Sequence, residues 1–139
     1  MSRLDLQNLD FMKHHAWQNL SKINVSRNML ISIDILEMYH NLKMIDASTN
    51  YIQSVELNLP KLKELKLANN HLTQFPDIVT CKRLTFLDLS NNKIESIEDL
   101  RGNKFPHSEL QVLNLSGNLL DFHNQDHFVD FLYQVKLWK

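Results

Sequence analysis

One pattern, Leu-x-x-Leu-x-Leu-x-x-Asn-x-Leu, recurs along the chain and leaves few folds open to it. It is matched at every fixed position by Leu62, Leu65, Leu67, Asn70 and Leu72, and again by Leu84, Leu87, Leu89, Asn92 and Ile94. The same spacing returns as Leu20, Ile23, Val25, Asn28 and Leu30, as Leu42, Ile45, Ala47, Asn50 and Ile52, and as Leu110, Leu113, Leu115, Asn118 and Leu120. These units start at residues 20, 42, 62, 84 and 110, so they lie 22, 20, 22 and 26 residues apart. That is the period of a chain that builds one supersecondary unit per repeat and stacks it on the last. A sixth, degraded unit opens the chain as Met1, Leu4, Leu6 and Phe11, with Leu9 where the ladder wants asparagine and Asn8 one place early.

Within each unit the apolar positions before the asparagine alternate with variable ones, as a strand with one buried face requires. Each return segment brings the chain back to its starting side, so successive strands run the same way and form a parallel sheet. Asn28, Asn50, Asn70, Asn92 and Asn118 fall at the turn after each strand. An amide there offers a donor and an acceptor to backbone groups left outside the ladder, so a structural role is expected. Cys81, three residues before Leu84, reads as a small buried residue beside Ile78. Trp17 takes the slot filled later by Leu36 or Leu100, on the return side of the core.

The widest gap contains residues 101–107, a polar stretch bearing Gly102 and Pro106, which reads as a surface loop. From Asn124 or Gln125 onward, Phe128, Phe131, Leu132 and Val135 recur at helical spacing, with Asp126 near the start and Lys136 and Lys139 near the end. This predicts an amphipathic helix that closes the core. Residues 1–139 thus read as a single domain: 1–19 a degraded first repeat or cap, 20–120 five repeats, and 121–139 a helical cap. Strand-like sequence at Leu4 and Leu6 leaves an edge in need of cover. Either the chain is cut from a longer array or the irregular first unit is itself the cap.

On these repeats the chain resembles the leucine-rich repeat family over nearly its whole length. The continuation Asn92, Ile94, Ile97 and Leu100, with spacings near 22 residues, is similar to the short intracellular subtype typified by phosphatase-regulator repeats. Residues 131–138 resemble the carboxy-terminal cap of intracellular members of the acidic nuclear phosphoprotein and spliceosomal types, with Tyr133 where that cap has proline and Lys139 where it has aspartate. The resemblance implies an α/β repeat solenoid, a curved right-handed superhelix with a parallel concave β-sheet, whose work is to bind another protein.

Charge and chemistry narrow the function further. Fifteen basic and sixteen acidic residues leave a net charge of -1, so the bulk field that gathers polyanions is missing and nucleic acid is not an expected partner. Lys61, Lys63, Lys66 and Arg83 form a short basic cluster, interrupted by Glu64. No enzyme, cofactor or metal is expected. The only glycines are Gly102 and Gly117, so no phosphate-cradling loop exists. Cys81 has Lys82 and Arg83 beside it but no histidine partner. His123 and His127 share a helix face with Asp126 nearby, without the glutamate of the catalytic zinc pattern, and His14 and His15 diverge.

The amino terminus has no apolar run after its charge, nowhere do about eighteen apolar residues occur together, and a lone cysteine cannot form an internal disulfide. An intracellular, cytoplasmic setting is expected, with nuclear and cytoskeletal settings also open. Three Asn-x-Ser sequons at Asn19, Asn24 and Asn114 agree weakly, since two fall on a strand face where sugars would crowd. A monomer is expected unless the amino-terminal edge pairs.

The register also lists the outward side chains of the sheet. The first column reads Arg3, Lys22, Met44, Glu64, Phe86, Val112; the second Asp5, Asn24, Asp46, Lys66, Asp88, Asn114; the third Gln7, Ser26, Ser48, Ala68, Ser90, Ser116. Neighbours within a column sit about 4.8 Å apart along the backbone. Lys66 between Asp46 and Asp88 reads as a cross-strand charge ladder or as a charged recognition strip. Phe86, Val112 and Met44 place apolar surface on a wetted face, where aromatic anchors suit an interface. The expected partner-binding set is therefore Lys22, Met44, Asp46, Glu64, Lys66, Phe86, Asp88, Val112 and Asn114. The alternatives are an adaptor within a ribonucleoprotein particle, through the basic cluster, or a structural segment of a larger cytoskeletal, axonemal or multidomain protein.

Overall fold

The computed structural model describes residues 4–13, 17–96 and 109–120. Strands β1 (Lys22–Asn24), β2 (Met44–Asp46), β3 (Glu64–Lys66), β4 (Phe86–Asp88) and β5 (Val112–Asn114) pair in chain order into one parallel sheet. Nearest-neighbour order without a crossover is what a solenoid produces, since each turn of chain packs only on the turns before and after it. Ile23, Ile45, Leu65, Leu87 and Leu113 form the inward row of the sheet. The next inward positions, Val25, Ala47, Leu67 and Leu89, are fully buried.

The ladder outlasts the strands. The N–H groups of Val25, Ala47, Leu67 and Leu89 donate to the carbonyls of Asp46, Lys66, Asp88 and Asn114, and two residues on, Arg27, Thr49, Asn69 and Asn91 donate to Ser48, Ala68, Ser90 and Ser116. At that point the chain turns through the left-handed region. Arg27, Thr49, Asn69, Asn91 and Gly117 have φ of 58°, 59°, 55°, 54° and 69°.

The asparagine that follows each of these residues closes the turn and ties it to its neighbour. Asn50 Nδ2 donates to Ala47 O at 3.0 Å within its own unit and to Val25 O at 3.1 Å in the preceding one, while its Oδ1 accepts from Leu30 N–H at 3.0 Å. Asn70 repeats the set with Leu67 O, Ala47 O and Ile52 N–H, and Asn92 with Leu89 O, Leu67 O and Leu72 N–H. Asn118 does so with Leu115 O, Leu89 O and Ile94 N–H. Asn28 Oδ1 accepts from Leu4 and Leu6, and its Nδ2 donates to Val25 O. Short carboxylates could not donate, and a hydroxyl could not span both turns.

The return side is built from irregular chain and two short 3-10 helices among the described residues, Asp10–Lys13 and Asp34–Met38. Its inward positions, Leu30, Ile33, Leu36, Leu59, Ile78 and Cys81, belong to the same apolar core as the strand leucines. A parallel bridge between Glu56 and Asp77 pins the third return segment to the fourth. Cys81 Sγ lies 3.5 Å from Leu57 O, and burial pushes its thiol pKa above the ordinary value, as suits a neutral packing residue.

Two expectations are corrected. Leu4, Leu6 and Leu9 do not form a first strand unit. Leu6 N–H reaches Asn28 Oδ1 in the manner of Leu30 on Asn50, and Met12 N–H donates to Leu9 O as Leu36 does to Ile33. Leu6, Leu9 and Met12 thus occupy the slots of Leu30, Ile33 and Leu36, five positions further along the repeat than the reading from Met1 placed them. Leu4 is accordingly 60% exposed, and Asp5 and Gln7 do not extend the outward columns. The slot assigned to Trp17 also shifts. Its carbonyl accepts from Leu20 as Tyr39 does from Leu42, Leu59 from Leu62 and Cys81 from Leu84, so it matches Tyr39 rather than Leu36. Its ring still packs on the core, half-buried. The expected carboxy-terminal helix, the expected loop at 101–107, Arg3, His14, His15, His123 and His127 lie outside the described residues.

Two stability changes follow. Asn50→Ala strands Leu30 N–H in buried surroundings and takes from Val25 O and Ala47 O one of their two amide donors, the other being Asn28 and Asn70, and urea unfolding should show a loss of about 2 kcal/mol; a loss within 0.5 kcal/mol of zero (about the scatter of a surface change) contradicts the clamp. Thr49→Asn relieves a β-branched residue of a left-handed backbone that Asn69 and Asn91 already adopt, and should raise stability by about 1 kcal/mol. A neutral or destabilising result would show that Thr49 is not strained.

Candidate protein-binding face

Pairing of the strands brings the sequence-predicted residues of 22–114 into rows on the outward side of the sheet. Lys22, Met44, Glu64, Phe86 and Val112 are consecutive register partners, as are Asn24, Asp46, Lys66, Asp88 and Asn114. The odd-even alternation of each strand sends these side chains away from the leucine row. Met44, Glu64 and Phe86 are half-buried, and Val112 is 44% exposed.

The second row is held from below. Asn24 Oδ1 accepts from Ser26 N–H at 2.9 Å and Ser26 Oγ at 2.7 Å, and Asp88 Oδ1 from Ser90 N–H at 3.0 Å and Ser90 Oγ at 2.7 Å. Asn114 does the same with Ser116 at 3.1 and 2.8 Å, and Asp46 Oδ1 accepts from Ser48 N–H at 3.1 Å. These are side-chain turns, in which an Asn or Asp oxygen caps the backbone two residues on. The signal was in the sequence as Asn/Asp-x-Ser in four of the five units; only β3 breaks it, with Lys66 and Ala68. The serines of the third column thus hold the side chains of the second.

The charge ladder expected through Lys66 does not form. Among the described residues the only ion pair is Lys13–Asp10, at 2.7 Å on the exposed first 3-10 helix. Asp46 and Asp88 point into their serine turns, and Lys66 Nζ leans over the Phe86 ring at 5.5 Å from its centroid. An ammonium over an aromatic face is attracted to the ring quadrupole. Lys66 and Phe86 therefore act as one unit, an aromatic plate with a cation resting on it.

Elsewhere the surface offers less. Lys61, Lys63 and Arg83 are exposed, and Lys61 Nζ donates to Asn41 Oδ1 at 2.7 Å, so the basic residues are spread out rather than gathered into one patch. A cleft of about 310 Å³ on the return side is lined by Asp34, Val55, Glu56, Phe75 and Asp77, among others. Among the described residues, no cluster of three His, Cys, Asp or Glu side chains is arranged to hold a metal, and no helix is long and apolar enough to cross a membrane.

Two overlapping stretches, residues 60–102 and 82–125, match the family model described as Leucine Rich repeats (2 copies). The chain belongs to the leucine-rich repeat family. Among curated relatives, it is 30% identical over 101 residues to Toll-like receptor 2 type-2 of Gallus gallus, which covers 73% of this chain and 12% of the receptor. It is also 30% identical over 118 residues to oligodendrocyte-myelin glycoprotein of Homo sapiens, covering 82% of this chain and 26% of that protein. The chain thus spans about a quarter or less of the length of these relatives. Two solved structures share the fold. An internalin from Listeria monocytogenes superposes with a TM-score of 0.74 at 18% identity, over 96% of this chain and 36% of that one. A leucine-rich repeat protein of Leptospira interrogans gives 0.72 at 22%, over 95% and 39%. Leucine-rich repeat proteins generally act through protein–protein interaction, and the fold is typically non-catalytic.

Proposed function

We propose that this domain is a non-catalytic module that binds a protein partner on the outward face of its sheet. The observation that carries the reading is the Phe86–Lys66 unit at the middle of that face, with Met44 and Val112 in the same row as the ring. Apolar and aromatic area on an otherwise wetted sheet is costly to leave in water and rewarding to cover. Phe86 is the anchor, Met44 and Val112 extend the apolar centre, and Lys22, Asp46, Glu64, Lys66, Asp88 and Asn114 set charge and register. The stacked core holds the backbone of the face in place, so little ordering cost remains at binding.

The basic cluster supports the ribonucleoprotein reading less well, because Lys61 and Lys66 are engaged locally and carboxylates interleave. The reading as one stretch of a larger protein draws support from the length of the relatives. A reducing, intracellular setting belongs to the proposal as well and rests on the single buried Cys81; a glycosidase-sensitive mass on Asn19, Asn24 or Asn114 in protein from its native source contradicts it.

Phe86→Ala should weaken partner binding by about tenfold or more, measured by titration calorimetry, while the thermal midpoint stays where it was. Equal affinity at unchanged stability removes Phe86 from the site.

A further inference from the structure

We propose that the partner meets this face with a cationic helical segment, two lysine or arginine side chains about 10 Å apart that pair with Asp46 and Asp88, with an apolar side chain beside them set on Phe86. The inference rests on the binding face just described and adds the chemistry of what it binds.

At the strand ends charge and structure separate. The side-chain turn at the end of each strand needs an oxygen acceptor, and Asn24 and Asn114 supply it with the same geometry as Asp88. Asparagine therefore suffices for the turn. The negative charge at Asp46 and Asp88 is surplus to it, and it stands on the central strands while the neutral amides stand on the edge strands β1 and β5.

This charge is not paired off. On the outward face of the five strands stand three carboxylates, Asp46, Glu64 and Asp88, against Lys66 and, on β1, Lys22. No ion pair joins Lys66 to any of them among the described residues, and its Nζ is turned to the Phe86 ring. One oxygen of each aspartate is held by its serine, which fixes the carboxylate in orientation. The other oxygen makes no hydrogen bond among the described residues. A carboxylate held in this way loses little freedom when a guanidinium or ammonium arrives.

Asp46 and Asp88 lie two strands apart, about 9.6 Å at the usual strand separation. Residues seven apart on a helix rise about 10.5 Å and share one face, which places two cations over the two aspartates. Lys66 between them repels a third cation, and Phe86, two residues before Asp88 on β4, takes an apolar side chain from beside the cation that meets Asp88. The surplus of negative charge steers such a segment toward the face and turns polyanions away.

The test is selection of a phage-displayed library of random 16-residue peptides on the full chain, followed by binding of the enriched peptides to wild type, Phe86→Ala and the double variant Asp46→Asn/Asp88→Asn. The double variant keeps both turns, as Asn24 and Asn114 show, so its melting midpoint should equal that of wild type. Enriched peptides should carry two Lys or Arg seven residues apart. Their affinity should fall roughly tenfold or more in the double variant, and fall again as salt is raised from about 50 to 500 mM. Peptides that need Phe86 but lack the cation pair, or ignore the double variant, overturn the cationic partner and leave the binding face standing. Peptides indifferent to all three substitutions overturn both, and a library that yields no binder, or a preference for acidic peptides, overturns the cationic partner.

Discussion

The asparagine amide is the contact on which the rest of this solenoid depends. A parallel sheet of three-residue strands has too few ladder bonds of its own to hold a chain of this length together. The amide adds bonds where the strands stop, one donor to its own turn, one to the turn before, and an acceptor for the N–H two residues beyond the previous asparagine. For Asn50, Asn70 and Asn92 these groups lie in the dry interior, where an unmade hydrogen bond is expensive. The ladder therefore fixes both the pitch of the stack and the tight turn that precedes every asparagine.

The outward face inherits its order from that clamp. Because the turn is held, the serine two residues past each outward Asn or Asp comes to a fixed place, and its N–H fixes the side chain above it. β3 lacks the pair, with Lys66 and Ala68 in those positions, and there the long side chain is at liberty to cross to the Phe86 ring. The middle of the sheet is thus both the place where the small-residue pattern breaks and the place where the aromatic stands. A rigid floor with one departure from its own regularity is a natural seat for recognition.

The rows of the sheet and the inward leucines were legible because a strict repeat converts sequence position directly into register. The opening unit was not, and the reason is particular. Leu4, Leu6 and Leu9 fit the strand part of the pattern by spacing alone, whereas Leu6, Leu9 and Met12 fit its return part by the same measure. Leucine spacing of three recurs on both sides of the repeat, and it takes the bonds from Leu6 to Asn28 and from Met12 to Leu9 to separate the two registers. The Asp46–Lys66–Asp88 trio shows a second limit. Periodicity places residues side by side, but the choice between an ion pair and a ring belongs to side-chain rotamers, and the carboxylates were already engaged by serines.

The central claim is that the amide ladder locks one turn to the next, and native-state hydrogen exchange tests it most directly. The N–H groups of Leu30, Ile52 and Leu72 donate to asparagine side chains rather than to any strand. The account predicts that these amides exchange only through global unfolding, as slowly as the strand amides of Leu65 and Leu87. Exchange by local opening, at the rate of the exposed turn residues beside them, would contradict it.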